Sequence, residues 1–302
     1  MTEPSSTTRA GFVALLGAPN AGKSTLLNAL VGQKVSIVTQ KVQTTRTRIR
    51  GIAIEGESQI IYVDTPGIFA PKRRLDRAMV AAAWGGAADA DVVCLLVDAK
   101  KGIDEDTARI LDGLKDASRP CILILTKVDL VARPSLLGLA DELNETGLFS
   151  DLFMVSAPEN DGIDDLRAFF ADKMPPGPWL YPEDQLSDLP QRLMAAEITR
   201  EKLFLRVHQE LPYATTVETE NWDARRDGSV RIDQIIFVER DSQKPIVIGK
   251  GGRTIKDIGE ASRLELEEMF ERKIHLFIRV KVRRNWADER ERYREMGLDF
   301  TD

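Results

Sequence analysis

The chain has 302 residues, of which 43% are apolar and 30% charged, a balance that excludes a disordered or fibrous protein and suggests two folded domains. Its N-terminus has no hydrophobic signal core, and no apolar run approaches the roughly 18 residues that a membrane span needs, so we expect a cytoplasmic protein. Contact with a membrane surface is left open. Cys94 and Cys121 lie in apolar runs, which predicts buried strand thiols and excludes a disulfide scaffold.

The net charge of −6, taken alone, argues against a nucleic-acid partner. The charges are unevenly distributed, however, because residues 1–190 hold 20 basic and 26 acidic side chains whereas residues 191–302 hold 22 of each. Between Lys244 and Arg284 there are 11 basic and 6 acidic residues. A phosphate backbone responds to the local field, so this segment favours a nucleic-acid partner for the second half of the chain.

Residues 1–10 are polar and are predicted to be disordered. In residues 11–173, short apolar runs alternate with helix-length segments such as Asp104–Ala117 and Ser135–Thr146; the runs are FVALLG, SQIIYVDTPG, DVVCLLVDAK, CILILTKVDL and FMVSA. This alternation predicts an α/β domain with a doubly wound, mostly parallel sheet. Ligands of such sheets bind beyond the carboxyl ends of the strands.

A proline-rich segment, residues 174–190, holds five of the 14 prolines and is predicted to be a linker. A different order of elements follows in residues 191–302, which predicts an α+β domain. The expected elements are a helix over Gln191–Gln209, strands over about Thr215–Trp222 and Ser229–Glu239, helix–GKGG–helix over about Lys244–Phe270, a strand over Lys273–Arg284 and a short closing helix.

The first strand leads into Gly17–Ser24, which matches the phosphate-binding pattern G-x-x-x-x-G-K-[ST]. Its glycines let backbone N–H groups turn toward a phosphate, Lys23 adds charge near the β- and γ-phosphates, and the Ser24 hydroxyl is placed for Mg²⁺. The N-terminus of the following helix adds its positive end. The predicted phosphate-site residues are Asn20, Ala21, Gly22, Lys23, Ser24 and Thr25.

Three further motifs select the nucleotide, and each ends a predicted strand. Asp64-Thr-Pro-Gly67 supplies an aspartate for Mg²⁺ and a backbone N–H, that of Gly67, for the γ-phosphate. Thr126-Lys127-Val128-Asp129 resembles the guanine-reading N-K-x-D, because a carboxylate only accepts and the N1 and N2 groups of guanine both donate. Ser156 and Ala157 fit the S-A element that meets guanine O6. Four motifs in this order predict GTP and GDP as ligands.

With these motifs on the chain, the sequence resembles the Era family of translation-factor-class GTPases over its whole length. The tract Gln43-Thr44-Thr45-Arg46 resembles the switch I of that family, where a threonine binds Mg²⁺ and senses the γ-phosphate; Thr45 is favoured and Thr44 is the alternative. Thr126 departs from the usual asparagine. Ile68 stands where Ras-like enzymes carry a water-orienting glutamine, which predicts slow hydrolysis. Asn20 occupies a position where related GTPases bind K⁺, so K⁺ is a candidate second cation.

The segment around Gly249-Lys250-Gly251-Gly252 carries the GXXG loop of KH domains, which clamps about four nucleotides of single-stranded RNA. The order of elements resembles a type II KH domain. Side chains of the last strand alternate, with Lys281 and Arg283 on the basic side, and we predict that this side contacts RNA next to the loop. The predicted RNA-binding residues are Ile248, Gly249, Lys250, Gly251, Gly252, Arg253, Lys281 and Arg283, although Ile248, Ile255 and Ile258 also suit a core.

The family resemblance implies a monomeric RNA-binding GTPase switch that binds the 3′ region of 16S ribosomal RNA during assembly of the small (30S) ribosomal subunit, with peripheral association with the inner membrane left open. One alternative is a metabolite kinase, which the guanine motifs disfavour. Another is a constitutive RNA-binding protein with a weakly catalytic nucleotide domain, which the intact Lys23, Ser24 and Asp64 disfavour. His208 and His275 have no metal-binding companions in the sequence, so no metal role is expected for them.

Overall fold

The structure, a computed structural model, describes residues 8–41, 44–117, 120–207 and 211–300. The chain forms two units, of which the first extends to Asp188 and includes the residues from Tyr293 onward, and the second spans Leu189–Arg292. Among the described residues, no helix combines the length and the apolarity needed to cross a bilayer. The N-terminal residues 1–7, Gln43 and His208 carry sequence predictions and lie outside the described ranges.

The first unit is built on a six-stranded sheet in the order β2-β3-β1-β4-β5-β6. Its strands are β1 (Arg9–Gly17), β2 (Ile49–Glu55), β3 (Ser58–Asp64), β4 (Val92–Asp98), β5 (Cys121–Thr126) and β6 (Phe149–Val155). All neighbours are parallel except β2 and β3. The helices are α1 (Lys23–Val31), α2 (Arg74–Ala88), α3 (Glu105–Ala117), α4 (Arg133–Asn144) and α5 (Ile163–Lys173). The predicted α/β class and mostly parallel sheet are confirmed.

Two details of the first unit differ from the sequence prediction. Arg9 and Ala10, expected to be disordered, form the start of β1 because they pair with Ser58 and Gln59 of β3. The edge strand β2 was not predicted at all. It is antiparallel to β3 and directly follows the tract rich in threonine and arginine, residues 44–48, so it fixes where that tract ends.

The strand thiols are buried as predicted. Cys94 in β4 and Cys121 at the start of β5 are free and almost wholly inaccessible. Burial raises the pKa of Cys121 to about 12 and that of Cys94 well above its ordinary value, since a thiolate is poorly solvated among apolar side chains. Both thiols therefore act as small core residues rather than as nucleophiles.

The proline-rich segment packs along the first unit. We call residues 175–188 the strap. The fully buried side chain of Gln59 in β3 accepts hydrogen bonds from the backbone N–H groups of Leu180 and Tyr181 at 2.8 and 3.0 Å and donates to the Tyr181 carbonyl at 2.8 Å. A buried amide needs such partners, so the strap completes the hydrogen bonding of β3.

The far end of the strap is bound to β2. Leu186 accepts a hydrogen bond from the Ile52 N–H at 2.9 Å, and the Ser187 hydroxyl donates to the Arg50 carbonyl at 2.8 Å. Asp188 then forms an ion pair with Arg50 at 2.8 Å. The segment predicted as a linker over 174–190 therefore belongs to the first unit up to Asp188.

The second unit packs helices against one face of a three-stranded sheet in the order β7-β8-β9. Its elements are α6 (Gln191–Arg206), β7 (Thr215–Ala224), β8 (Val230–Val238), α7 (Lys244–Ile248), α8 (Arg253–Phe270) and β9 (Ile274–Val282). The last helix, α9 (Arg290–Glu295), begins in this unit, and its residues from Tyr293 onward belong to the first. Strands β7 and β8 are antiparallel, whereas β8 and β9 are parallel. The predicted order of elements is confirmed, with ends shifted by a few residues.

Candidate functional site

The phosphate loop links β1 to α1. Asn20 and Gly22 have positive φ angles of 64° and 95°, so the loop turns its backbone in the way that a phosphate cradle requires. Lys23 is buried, and its ammonium donates to the carbonyls of Gly17 and Ala18 at 3.0 and 2.9 Å. Burial lowers the pKa of Lys23 to about 8, although the Asp64 carboxylate acts in the opposite direction. A bound phosphate would supply the negative charge that keeps this ammonium protonated.

Three residues predicted to bind Mg²⁺ converge on one point. The Ser24 hydroxyl donates to Asp64 Oδ2 at 2.6 Å, the Thr45 hydroxyl lies 3.2 Å from the same oxygen, and the two hydroxyls are 2.9 Å apart. Thr44, the alternative, bonds locally instead, to the Lys41 carbonyl at 2.6 Å. The structure thus brings Thr45, rather than Thr44, to the aspartate.

The environment of Asp64 fits a hard cation. The residue is fully buried, and among the residues that the structure describes no group hydrogen-bonds its Oδ1 atom. Burial raises the pKa of Asp64, while Lys23 and the neighbouring hydroxyls oppose that shift. A buried carboxylate with one oxygen uncommitted and hydroxyl oxygens beside it is the oxygen-rich set that Mg²⁺ prefers.

Gly67 and Ile68 follow Asp64 and lie against the phosphate loop. A Cβ atom on Gly67 would lie 3.0 Å from Pro19 backbone atoms, a tight contact that glycine avoids. The Ile68 N–H donates to the Gly17 carbonyl at 3.2 Å, and the Ile68 side chain is buried in the core. Ile68 therefore cannot orient an attacking water, in agreement with the sequence prediction.

The predicted base site meets the phosphate loop through Thr126 and Lys127. The Thr126 hydroxyl donates to the Ala21 carbonyl at 2.7 Å, so threonine braces the loop although it is shorter than the usual asparagine. The Lys127 ammonium donates to the Asn20 carbonyl at 2.8 Å and to Asp98 at 2.6 Å. These bonds leave the alkyl stem of Lys127 in place to lie along a base.

Asp129 and Ser156 form the guanine-reading end. The Ser156 hydroxyl donates to Asp129 Oδ1 at 2.6 Å, and a pair of backbone hydrogen bonds of 3.0 and 3.1 Å between Ser156 and Asp161 holds the turn that carries Ala157. One oxygen of Asp129 is thereby fixed. The carboxylate, which can only accept hydrogen bonds, is thereby oriented next to the turn that carries Ser156 and Ala157.

Some residues of this site were not predicted. Asp98, which holds Lys127, ends the buried strand β4, and an acidic residue at a strand end was a signal available in the sequence. Asn28 and Ser36, which meet the site from α1 and the loop after it, carry no recognisable motif. Thr25 follows Ser24 in the first turn of α1, as predicted.

The GXXG loop joins α7 to α8. Its three glycines, Gly249, Gly251 and Gly252, all have φ between 62° and 78°, where side chains other than glycine are strained. Lys250 and Arg253 are exposed on this loop. Ile258 is fully buried in the core of the unit, whereas Ile248 and Ile255 are partly buried against that core. The core role foreseen for these isoleucines is thus complete only for Ile258.

Lys281 and Arg283 do not share the surface of the loop. Ile278, Val280 and Val282 of β9 pack against the helices, so the alternating side chains point to the other face of the sheet. There Lys281 lies 3.6 Å from Glu220, and Arg283 pairs with Glu289 at 2.7 Å. The alternation is as predicted, and it puts these two basic side chains on the sheet face opposite the helices that flank the loop; their contact with RNA stays a prediction.

Two family models match the chain. A model described as a 50S ribosome-binding GTPase matches residues 12–127, which hold the phosphate loop, Asp64 and Lys127. A KH domain model matches residues 210–287, which hold the GXXG loop. The two matches fall on the two units of the structure.

The chain is also similar to characterised proteins over nearly its whole length. It is 62% identical to the GTPase Era of Sinorhizobium medicae, covering 97% of this chain and 94% of that protein, and 61% identical to the GTPase Era of Brucella suis with the same coverage. Two crystal structures, each 36% identical, cover 96% of this chain and 99% of theirs. One is Era in complex with MgGDPNP and nucleotides 1506–1542 of 16S ribosomal RNA, with a TM-score of 0.91; the other is a variant of Aquifex aeolicus Era bound to GDP and aluminium fluoride, with a TM-score of 0.90.

Proposed function

This chain belongs to the Era family of GTPases, and on that premise we propose that it hydrolyses GTP slowly and binds the 3′ region of 16S ribosomal RNA as a step in small-subunit assembly. The observation that carries the proposal is the convergence of Ser24, Thr45 and Asp64 in a chain that also carries an exposed GXXG loop. The free buried cysteines support a place in the reducing cytoplasm. We propose that the protein acts there as a monomer.

Hydrolysis in this site depends on charge and positioning. Ser24, Thr45 and Asp64 would hold Mg²⁺, which neutralises charge that builds on the β- and γ-phosphate oxygens during phosphoryl transfer. Lys23 would add its own charge at the same oxygens, and the Gly67 N–H would donate to the γ-phosphate. Because Ile68 cannot orient water, the site stabilises charge without preparing the nucleophile. That combination supports a slow intrinsic rate.

RNA binding rests on the loop between α7 and α8. The glycines allow sugar and phosphate to approach the main chain, while Lys250 and Arg253 supply charge and the half-buried Ile248 offers an apolar contact. Lys281 and Arg283 lie on the other sheet face and are ion-paired with Glu220 and Glu289, so these acidic partners largely offset their attraction for RNA. A short unpaired strand suits this loop better than a duplex, whose base edges are hidden.

Sequencing the RNA crosslinked to the protein in growing cells tests the proposed function directly. We expect reads concentrated in a single-stranded segment near the 3′ end of 16S ribosomal RNA. The matched sample is a variant with aspartate at positions 250 and 251, which should lose those reads. Reads spread evenly over unrelated RNAs would contradict a role in small-subunit assembly.

Potassium is proposed to assist hydrolysis through Asn20. The Asn20 amide donates to the carbonyl of Gln40 at 2.8 Å, so it already meets the loop that leads to Thr45. A K⁺ ion held by oxygens of these two residues would place positive charge next to the phosphates, as an arginine does in other GTPases. We expect hydrolysis to be several-fold faster in K⁺ than in Na⁺, with the difference lost in Asn20→Ala. Equal rates in both salts, measured as phosphate release, would exclude the idea.

A further inference from the structure

A third hydroxyl reaches Asp64 from a place that no motif marks. Ser36 lies in the loop after α1, is fully buried, and donates to Asp64 Oδ2 at 3.0 Å. The same oxygen is contacted by Ser24 and Thr45 at 2.6 and 3.2 Å. The donors thus gather on one oxygen of the carboxylate, while Oδ1 has no hydrogen-bond partner among the described residues.

Ser36 is held in place by α1. The Asn28 side chain accepts from the backbone N–H groups of Val35 and Ser36, each at 2.9 Å, and donates to the Ser36 carbonyl at 2.8 Å. Asn28 belongs to the helix that begins with Lys23 and Ser24. Ser36 is therefore tied to α1, the helix that follows the phosphate loop, by bonds that do not involve Thr45.

The three hydroxyls would play different parts when a cation is bound. Ser24 and Thr45 would give oxygen lone pairs to Mg²⁺, which reorients their O–H groups. Ser36 lies on the anchored part of the loop and keeps its proton for Asp64. It can therefore hold Oδ2 and fix the rotation of the carboxylate throughout, with Oδ1 left for the cation and its waters.

We propose that Ser36, anchored by Asn28, is a positioning residue that orients the Asp64 carboxylate for the magnesium–nucleotide complex. This inference rests on the proposed GTP function. It predicts that loss of the Ser36 hydroxyl makes Mg²⁺ less effective at slowing nucleotide release. The affinity for nucleotide in the absence of Mg²⁺ should stay unchanged. A residue that only supports the fold would change both.

The test measures the dissociation rate of fluorescent GDP from the full-length protein in excess EDTA and in excess Mg²⁺. In the wild type we expect Mg²⁺ to slow release. In Ser36→Ala the ratio of the two rates should fall three- to tenfold, while the rate in EDTA stays within twofold. Asn28→Ala should lower the same ratio, because the serine is then no longer fixed.

Ser58→Ala is the matched control, since Ser58 is also buried, lies in the same unit and donates a hydrogen bond, to the Ala171 carbonyl at 2.9 Å, away from Asp64. An unchanged ratio in Ser36→Ala, or an equal fall in Ser58→Ala, would overturn the proposal. If Ser36→Ala fails to fold, Ser36→Cys keeps the shape with a weaker donor and gives the same reading. A wild type that does not bind GDP would instead contradict the proposed GTP function.

Discussion

Replacing Asp129 with asparagine is expected to weaken GTP binding at least about 100-fold, or roughly 2.7 kcal/mol, and to create affinity for xanthosine triphosphate. The carboxylate would accept from both N1–H and N2–H₂ of guanine, and hydrogen bonds to a charged group contribute about 1.5–3 kcal/mol each. Asparagine puts a donor in place of one acceptor, which clashes with guanine and suits the second carbonyl of xanthine. Ser156 can still hold the remaining oxygen, so the side chain should stay oriented.

Equilibrium titration with fluorescent GTP and competition by the xanthine nucleotide would measure both changes. Asp112→Asn is the matched control, since it removes the same charge from an exposed position on α3 whose ion-pair partner among the described residues is Lys115, at 3.1 Å. It should bind GTP as the wild type does. If Asp129→Asn retained GTP affinity within about threefold, or roughly 0.65 kcal/mol, the base-site assignment would be wrong.

Converting Lys250 and Gly251 to aspartate is expected to lower RNA affinity at least about 100-fold at low salt, because phosphate contacts dominate such binding. The change adds two carboxylates to the loop and puts side chains where sugar-phosphate must pass. Gly251 has a φ of 62°, and none of the described residues comes within 4 Å of the place that a Cβ would take there. Aspartate tolerates this left-handed region better than most residues. The unit should therefore fold, and GTP binding should be unaffected.

The comparison needs a variant with the same change in net charge. Arg272→Ala with Lys273→Asp alters the net charge by −3, as the loop variant does, and both side chains are exposed just before β9. Filter binding of a 3′-terminal 16S oligonucleotide at several salt concentrations would separate loop contacts from general attraction. Equal losses in the two variants, or wild-type binding insensitive to salt, would show that the loop does not hold the RNA.

The nucleotide site was predictable because its functional residues occur in short contiguous motifs. A glycine-rich loop, an aspartate at the end of β3 and the Thr126–Asp129 tract each need particular residue types at fixed spacing. The sheet that brings them together follows from the alternation of strands and helices. The structure adds distances, and it favours Thr45 over Thr44 because the Thr45 hydroxyl contacts Asp64 whereas that of Thr44 bonds to the Lys41 carbonyl.

What the sequence could not show depends on pairing across long separations. Strand β2 forms by pairing with the edge of β3. Gln59 can be buried because the strap covers it and supplies its hydrogen-bond partners. Alternation along β9 was predicted correctly, but which face of the sheet the helices cover is a property of the whole unit. The sequence could not show, for that reason, that Lys281 and Arg283 lie on the face opposite the helices.

The prolines of the strap lower the entropy that is lost when this segment becomes ordered. Pro175, Pro176, Pro178 and Pro182 restrict the chain before it folds, so less conformational entropy is lost when this segment is laid along β3 and β2. Each proline whose native geometry fits contributes about 0.4–1 kcal/mol through the unfolded state, so the upper limit for the four is about 4 kcal/mol. Proline nitrogens have no hydrogen to donate, but the strap carbonyls still accept: Tyr181 accepts from the Gln59 side chain and Leu186 accepts from the Ile52 N–H. A composition that suggests a loose connector thus makes this segment easier to order.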